Sequence, residues 1–220
     1  GARIATILLP GVQYLTGQLL DIGAITAAGR KAGCVVGWDL AHAVGNVPVA
    51  LHDAGADFAV WCNYKYLNGG PGAVGGAFVH ARHATDTSLP RFAGWWGHDK
   101  ATRFLMAPEF KPTPGAEGWQ LSNPPILAMA PLAASLEHFA AAGLPALRQK
   151  SVALTGYFER LVQARLAGRV EIITPSAPQA RGAALSLRLV GLSRDRSRAV
   201  FDGLRQRSIL PDWREPDVIR

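Results

Sequence analysis

Apolar runs of five or six residues alternate along this chain with longer helical patterns. That rhythm predicts strand-helix-strand units and a mainly parallel sheet. The first run, Ile4-Ala5-Thr6-Ile7-Leu8-Leu9, is followed by a helical pattern from about Gln18 to Ala32, for which Thr16 is the expected cap, and by a strand over 34–38 that ends at Asp39. A short helix near Val49 to Ala54 leads to a strand over 57–62, a Gly-Pro turn (Asn68-Gly69-Gly70-Pro71-Gly72) and a strand over 74–79. From His80 to Leu121 the pattern dissolves into a stretch rich in Gly, Pro and Trp. It is too long for an ordinary connection, and such loops are usually functional or interfacial. Ser122-Asn123-Pro124-Pro125 then offers a cap residue and prolines suited to the first turn of a long helix. Beyond it the pattern predicts a helix from about Pro145 to Leu166, strands over 170–173 and 183–189, a helix from about Asp195 to Arg207 and a short strand at Ile209 to Leu210. The expected organisation is α/β: part of a large domain over 1–130 and a smaller, incomplete α+β domain over 131–220.

Composition changes this picture little. With 220 residues, 49% of them hydrophobic and 18% charged, the chain can bury a sizeable core. No apolar run reaches the roughly 18 residues of a membrane span, and the start lacks a charged and then apolar leader, so the cytoplasm is the expected compartment. The opening directly on a strand without a methionine, and the end at Ile219-Arg220 without a closing helix, suggest a fragment of a longer protein. Cys34 and Cys62 are isolated within apolar runs and read as buried thiols, without metal-ligand spacing. The net charge of +7 is densest at Arg194, Arg196, Arg198, Arg205 and Arg207. Asp195 and Asp202 interrupt that group and a single aromatic, Phe201, falls within it, so a solvated helix face is expected and no nucleic-acid partner.

The chemistry lies at the strand ends. Open α/β sheets gather ligand-binding groups at the carboxyl ends of their strands, and Asp39 and Lys65 follow two consecutive ends. Lys65 stands between Tyr64 and Tyr66 behind an apolar run, a setting that desolvates an amine and favours the neutral form that attacks carbonyls. A lysine for an imine and a carboxylate to keep a pyridine nitrogen protonated is the pairing that pyridoxal phosphate (PLP) requires. The same residues also have plainer readings, Asp39 as a turn or cap residue and Lys65 as a surface lysine.

Four segments in order, Gly37-Trp38-Asp39-Leu40-Ala41-His42-Ala43-Val44-Gly45-Asn46, Asn63-Tyr64-Lys65-Tyr66-Leu67-Asn68, Gly94-Trp95-Trp96-Gly97-His98 and Ser122-Asn123-Pro124-Pro125-Ile126-Leu127, resemble the kynureninase family. Leu9-Pro10-Gly11-Val12-Gln13-Tyr14-Leu15-Thr16-Gly17-Gln18 and Asp212-Trp213-Arg214-Glu215-Pro216 extend the resemblance over essentially the whole chain. It implies fold type I of the PLP enzymes, an aminotransferase-like fold, and a homodimer whose active sites draw on both subunits. Lys65 would carry the cofactor, Asp39 would bind its pyridine nitrogen, Ala41 would lie against the ring and His42 would reach its polar edge. Tyr64 would contact the phosphate and serve as a proton donor, with Trp95 and Asn123 reaching the phosphate from the neighbouring subunit. Arg220 would pair with the substrate carboxylate, a task suited to a planar two-pronged donor.

The implied reaction is hydrolysis of the Cβ–Cγ bond of L-kynurenine or its 3-hydroxy form. It yields anthranilate or 3-hydroxyanthranilate and L-alanine, as in tryptophan catabolism or NAD biosynthesis. The family's phosphate loop and ring-stacking aromatic have no counterpart in this chain. Two other readings stay open. A cysteine desulfurase or selenocysteine lyase would need a reactive cysteine on a mobile loop, where neither Cys34 nor Cys62 is placed. A non-catalytic dimerising relative would show a broken constellation, whereas Asp39, His42, Tyr64, Lys65, Trp95 and Asn123 are all present.

Overall fold

In the computed structural model, which describes residues 3–220, the best-buried strand is Val35–Asp39 (β2), whose central Val36, Gly37 and Trp38 are covered while both end residues reach solvent. Thr6–Pro10 (β1) pairs with it in parallel, Thr6 opposite Val35 and Pro10 opposite Asp39. Phe58–Cys62 (β3) pairs in parallel on the other side, and Gly75–Val79 (β4) runs antiparallel to β3. The spatial order is β1-β2-β3-β4. The mainly parallel sheet read from the sequence is therefore present, with an antiparallel edge strand.

The helix Ile22–Lys31 (α1) covers one face. Its Gly29 leaves no room for a side chain, since a Cβ there would lie 2.7 Å from Val36 and 2.9 Å from Ile7. Trp38 Nε1, fully buried, donates to Thr26 Oγ1 at 3.0 Å, which satisfies the one polar atom its burial would otherwise strand. α1 starts later than its periodicity suggests, and Thr16 does not cap it. Asp21 does, accepting from Ala24 N at 2.9 Å, because Gly17 takes a left-handed conformation (φ 72°) that ends regular structure ahead of it. The predicted short helix is Leu51–Ala54 (α2).

The opposite sheet face is open. Leu8, Val35 and Val60, which alternation puts on one side, are 55%, 46% and 45% exposed. There the Phe58 ring lies directly over Gly37, in the space a Cβ would fill. Phe58, Val60, Ala77, Val79 and Trp119 help to line an apolar cavity of about 450 Å³ on this face.

Asp57, just ahead of β3, ties the unit together. It accepts from the backbone N–H of Val36 (2.7 Å) and from Arg82 Nη2 (2.6 Å), and bonds His83 Nε2 (2.8 Å). Burial alone would push its carboxyl up, but the Val36 amide and the Arg82 and His83 hydrogen bonds outweigh that and hold it at about 2. The folded value lies below the ordinary 3.8, so this stabilisation is complete above about pH 4 and is lost as pH falls toward about 2. Asp57→Asn is expected to lower stability at neutral pH by about 2 kcal/mol and to flatten the acid limb of the unfolding curve, as read by circular dichroism against pH. An unchanged acid limb would contradict this role.

The irregular stretch after β4 is held by arginines on tryptophans: Arg91 lies 4.2 Å from the Trp119 ring and Arg103 4.4 Å from that of Trp96. Arg103 also donates to the carbonyl of Trp96 at 2.8 Å. The following helix is Ile126–Ala142 (α3), two residues later than a start at Pro124, with the Pro125 carbonyl taking its first bond, from Met129 N at 3.1 Å. Cys34 is buried and donates to the Ile4 carbonyl (3.2 Å), whereas Cys62, expected to be buried, is only half-buried because it ends β3.

The chain divides into two compact units, one taking in residues up to Gly11, Asp21–Val44 and Val49–Phe139, the other Val12–Leu20, Gly45–Pro48 and Ala140–Arg220. The second contains Leu144–Leu166 (α4), Val170–Ile172 (β5), Leu187–Leu189 (β6), Arg194–Gln206 (α5), Trp213–Arg214 (β7) and Val218–Ile219 (β8). Its antiparallel sheet has the order β5-β6-β8-β7. Arg181, 1% exposed, is neutralised by Glu159 of α4 at 2.7 Å. The segment 12–20 folds into this unit through antiparallel bridges between Val12 and Leu19 and between Gln18 and Arg181. No strand forms at Ile209 to Leu210: Ser208 is left-handed (φ 60°) and Leu210 is 82% exposed. β6 is shorter than the apolar run 183–189 that predicts it. On α5, Arg194 donates to both oxygens of Glu215 at 3.0 and 2.7 Å, and Arg198 stands over the rings of Phe201 and Trp213. No single helix among the described residues is long and apolar enough to cross a membrane.

Candidate functional site

Parallel pairing sets Asp39 opposite Val60, so the carboxyl ends of β2 and β3 are neighbours. After β2 the chain turns sharply. Asp39 Oδ1 accepts from Ala41 N at 2.9 Å, and Leu40 O accepts from Ala43 N and Val44 N, which swings His42 toward the end of β3. After β3, Asn63 is a buried clasp: its Oδ1 accepts from Trp61 Nε1 (2.9 Å), its Nδ2 donates to Val74 O (2.7 Å), and its carbonyl accepts from Gly69 N (2.8 Å). A Cβ on Gly69 would meet that carbonyl at 2.9 Å, so a glycine is required. The clasp closes the turn that presents Tyr64, Lys65 and Tyr66.

The two turns meet in a 3.1 Å hydrogen bond between Lys65 Nζ and His42 Nε2. A lysine ammonium has only donors, so in that state Nε2 accepts and the imidazole proton sits on Nδ1. The His42 ring also makes an edge contact with Tyr66, centroids 6.4 Å apart. Lys65 is half-buried and its ammonium lies 5.9 Å from the Tyr64 ring. Hydrogen bonding with the Cys62 thiol pushes the Tyr64 phenol up from its ordinary value, although the side chain is largely exposed. The sequence sets Lys65 between two tyrosines in an apolar setting; its hydrogen-bond partner in the fold is a histidine.

Asp39, His42, Tyr64 and Lys65 thus cluster at two adjacent strand ends, with Ala41 half-buried beside them. Trp95 and Asn123 lie elsewhere in the same unit. Trp95 is 57% exposed with its ring edge-on to Phe104 at 5.4 Å. Asn123 is exposed, its Oδ1 accepting from Ser122 Oγ at 3.1 Å. Gly94 packs on the backbone of Leu121, and Trp96 N donates to Leu121 O, so the two segments run side by side. Among the described residues no hydrogen bond joins Trp95 or Asn123 to Lys65 or Asp39. Arg220, in the second unit, is anchored: its Nη1 donates to Tyr14 O at 2.5 Å and its Nη2 to Asp212 Oδ2 at 2.6 Å. The open-face cavity of about 450 Å³ includes none of these residues, and its apolar walls offer few groups to orient a polar ligand.

Solved structures with this fold include an apo cysteine desulfurase from Thermococcus onnurineus (TM-score 0.75, 18% identity, over 94% of this chain and 49% of that one). A C-DES mutant with glycine covalently linked to its PLP cofactor matches at TM-score 0.77 and 22% identity, over 100% of this chain and 56% of that one. An alanine–glyoxylate aminotransferase from Nostoc matches at TM-score 0.69 and 18% identity, over 98% and 55%. The fold is that of the aminotransferase-like, fold type I PLP enzymes. Residues 147–220 match the family model described as the kynureninase C-terminal domain. The whole chain is 65% identical to a kynureninase of Stenotrophomonas maltophilia and 60% identical to one of Xanthomonas campestris, covering 52% and 51% of those proteins. In sequence the chain is similar to kynureninases throughout, and it spans about half the length of the curated relatives it matches.

Proposed function

We propose that the whole protein carrying this chain is a PLP-dependent kynureninase of the cytoplasm, hydrolysing L-kynurenine or 3-hydroxy-L-kynurenine to anthranilate or 3-hydroxyanthranilate and L-alanine. The observation that carries this reading is the Lys65–His42 hydrogen bond of 3.1 Å beside Asp39, at the ends of adjacent parallel strands. These residues suit the cofactor: a half-buried amine for its aldehyde, an exposed carboxylate at a strand end for its pyridine nitrogen, and a phenol for its phosphate. In this reading the first unit is part of the cofactor-binding large domain and the second is part of the small domain.

When bound, PLP supplies an electron sink for the bond-breaking chemistry at the substrate's amino acid moiety. Lys65 would hold the cofactor and then, released by substrate, move the α-proton as a base. His42, bonded to the lysine nitrogen, would keep that amine aimed while its proton load changes. Asp39 would hold a proton on the pyridine nitrogen. Tyr64 would grip the phosphate and donate a proton to the departing alanine fragment. Arg220 would take the substrate carboxylate with its two-pronged edge.

A homodimer with shared active sites is part of this reading, Trp95 and Asn123 serving the partner's phosphate. Exposed apolar side chains near both support it: Phe104, Met106 and Leu127 are 69%, 78% and 89% exposed, as buried interface residues would be when a subunit is taken alone. A cysteine-dependent sister activity finds less support, because Cys34 is buried and Cys62 lies at the end of β3.

Adding L-kynurenine to the full-length protein with PLP is expected to release anthranilate, followed by its fluorescence. No anthranilate or hydroxyanthranilate from either kynurenine would overturn the proposed reaction.

A further inference from the structure

Asp212 is the most heavily engaged carboxylate near Arg220. Its backbone N–H and carbonyl pair with those of Arg220 in both directions at 2.8 Å. Its Oδ2 accepts from Arg220 Nη2 at 2.6 Å and from Arg214 Nη2 at 2.8 Å. Tyr14 closes the other side, its carbonyl accepting from Arg220 Nη1 while its ring lies 5.6 Å from the Arg214 guanidinium. The side chain of Arg220 is only 16% exposed, although Asp212 itself is 44% exposed. A guanidinium has five N–H donors. Tyr14 and Asp212 take two of them in fixed directions, leaving three for a ligand.

We propose that Asp212 is a positioning residue that aims Arg220 at the substrate carboxylate. This rests on the assignment of Arg220 to that carboxylate. Geometry and charge point the same way. A lone arginine spreads over many rotamers and loses that freedom on binding, whereas one already bonded at both terminal nitrogens loses little. One carboxylate shared by two guanidinium groups leaves a net positive pair, so the site still attracts an anion. Arg214 is the partner that preserves this excess, by sharing the charge of Asp212 with Arg220.

The test compares L-kynurenine with its decarboxylated amine on the full-length PLP-loaded protein, by steady-state kinetics for the first and equilibrium binding for the second. Asp212→Ala is expected to raise KM for L-kynurenine about tenfold or more with kcat within about threefold, the pattern of lost ground-state binding. Binding of the amine should change less than about twofold, since it has no carboxylate to lose. Asp212→Asn, which keeps an acceptor oxygen without the charge, should fall between and share the wild-type melting temperature within a few degrees. If Asp212→Ala does not fold, Asp212→Asn alone decides by the same ratio of the two ligands. Equal weakening of both ligands, or none, would show that Asp212 does not act through Arg220. Arg220→Ala separates the two claims: if it leaves the discrimination between the ligands intact, the assignment of Arg220 fails and the role of Asp212 with it. If it abolishes discrimination that Asp212→Ala and Asp212→Asn preserve, only the role of Asp212 fails.

Discussion

Replacing Lys65 by alanine in the full-length protein is expected to lower turnover of L-kynurenine by about 10³-fold or more and to remove the visible absorption of lysine-held cofactor. The size follows from two losses at one atom. On the proposed function the amine would be both the anchor of the cofactor and the base that moves the α-proton, and a positioned general base alone is worth about 10²–10⁴-fold. Because Lys65 Nζ bonds His42 Nε2 at 3.1 Å, alanine also leaves the histidine without that partner. Lys65→Arg separates these parts. It keeps a cation near His42, but a guanidinium forms no such link with an aldehyde, so turnover should stay as low as in the alanine variant. Steady turnover in either variant, measured with anthranilate fluorescence, would remove Lys65 from the mechanism.

Asp39→Asn is expected to cost about 10²–10³-fold in kcat, the scale seen when a single preorganised electrostatic partner of a developing charge is lost. The substitution is nearly isosteric. The amide oxygen it introduces can still accept from Ala41 N, so the turn that delivers His42 should survive, and the melting temperature should hold within a few degrees. What disappears is the negative charge that would keep the pyridine nitrogen protonated. The effect should therefore fall on kcat while cofactor remains bound at saturating PLP. If kcat changes less than about threefold, Asp39 is a turn residue and not the partner of the ring.

The strand ends to which this chemistry is assigned are legible in the sequence for a simple reason. β2 and β3 are nearly continuous apolar runs, a pattern typical of parallel sheets, and each run stops at a polar residue that begins a turn. That puts Asp39 and Lys65 at neighbouring ends without any structure. The Lys65–His42 bond is not legible, because it joins residues 23 apart through two turns whose shapes depend on Asn63, Gly69 and the Leu40 carbonyl. The same holds for Asp57, whose partners Val36, Arg82 and His83 come from separate segments. A local cap rule misplaces the start of α1, since Thr16 and Asp21 are both acceptable caps and only the left-handed Gly17 between them decides. Asp212 stands inside a segment that resembles kynureninases, but its pairing with Arg220 arises from the β7–β8 register that brings both ends of the hairpin together. Nor could the pattern foretell that Leu8, Val35 and Val60 line an open sheet face, because apolar runs do not say how many layers cover them.

The most direct test of the central claim is to treat the PLP-loaded full-length protein with borohydride, digest it and locate the fixed cofactor by mass spectrometry. The chain offers five lysines, Lys31, Lys65, Lys100, Lys111 and Lys150. The cofactor is expected on the peptide containing Lys65, and its signal there should vanish in Lys65→Ala. Cofactor fixed on another lysine, or none fixed at all, would contradict the assignment of Lys65 as its anchor.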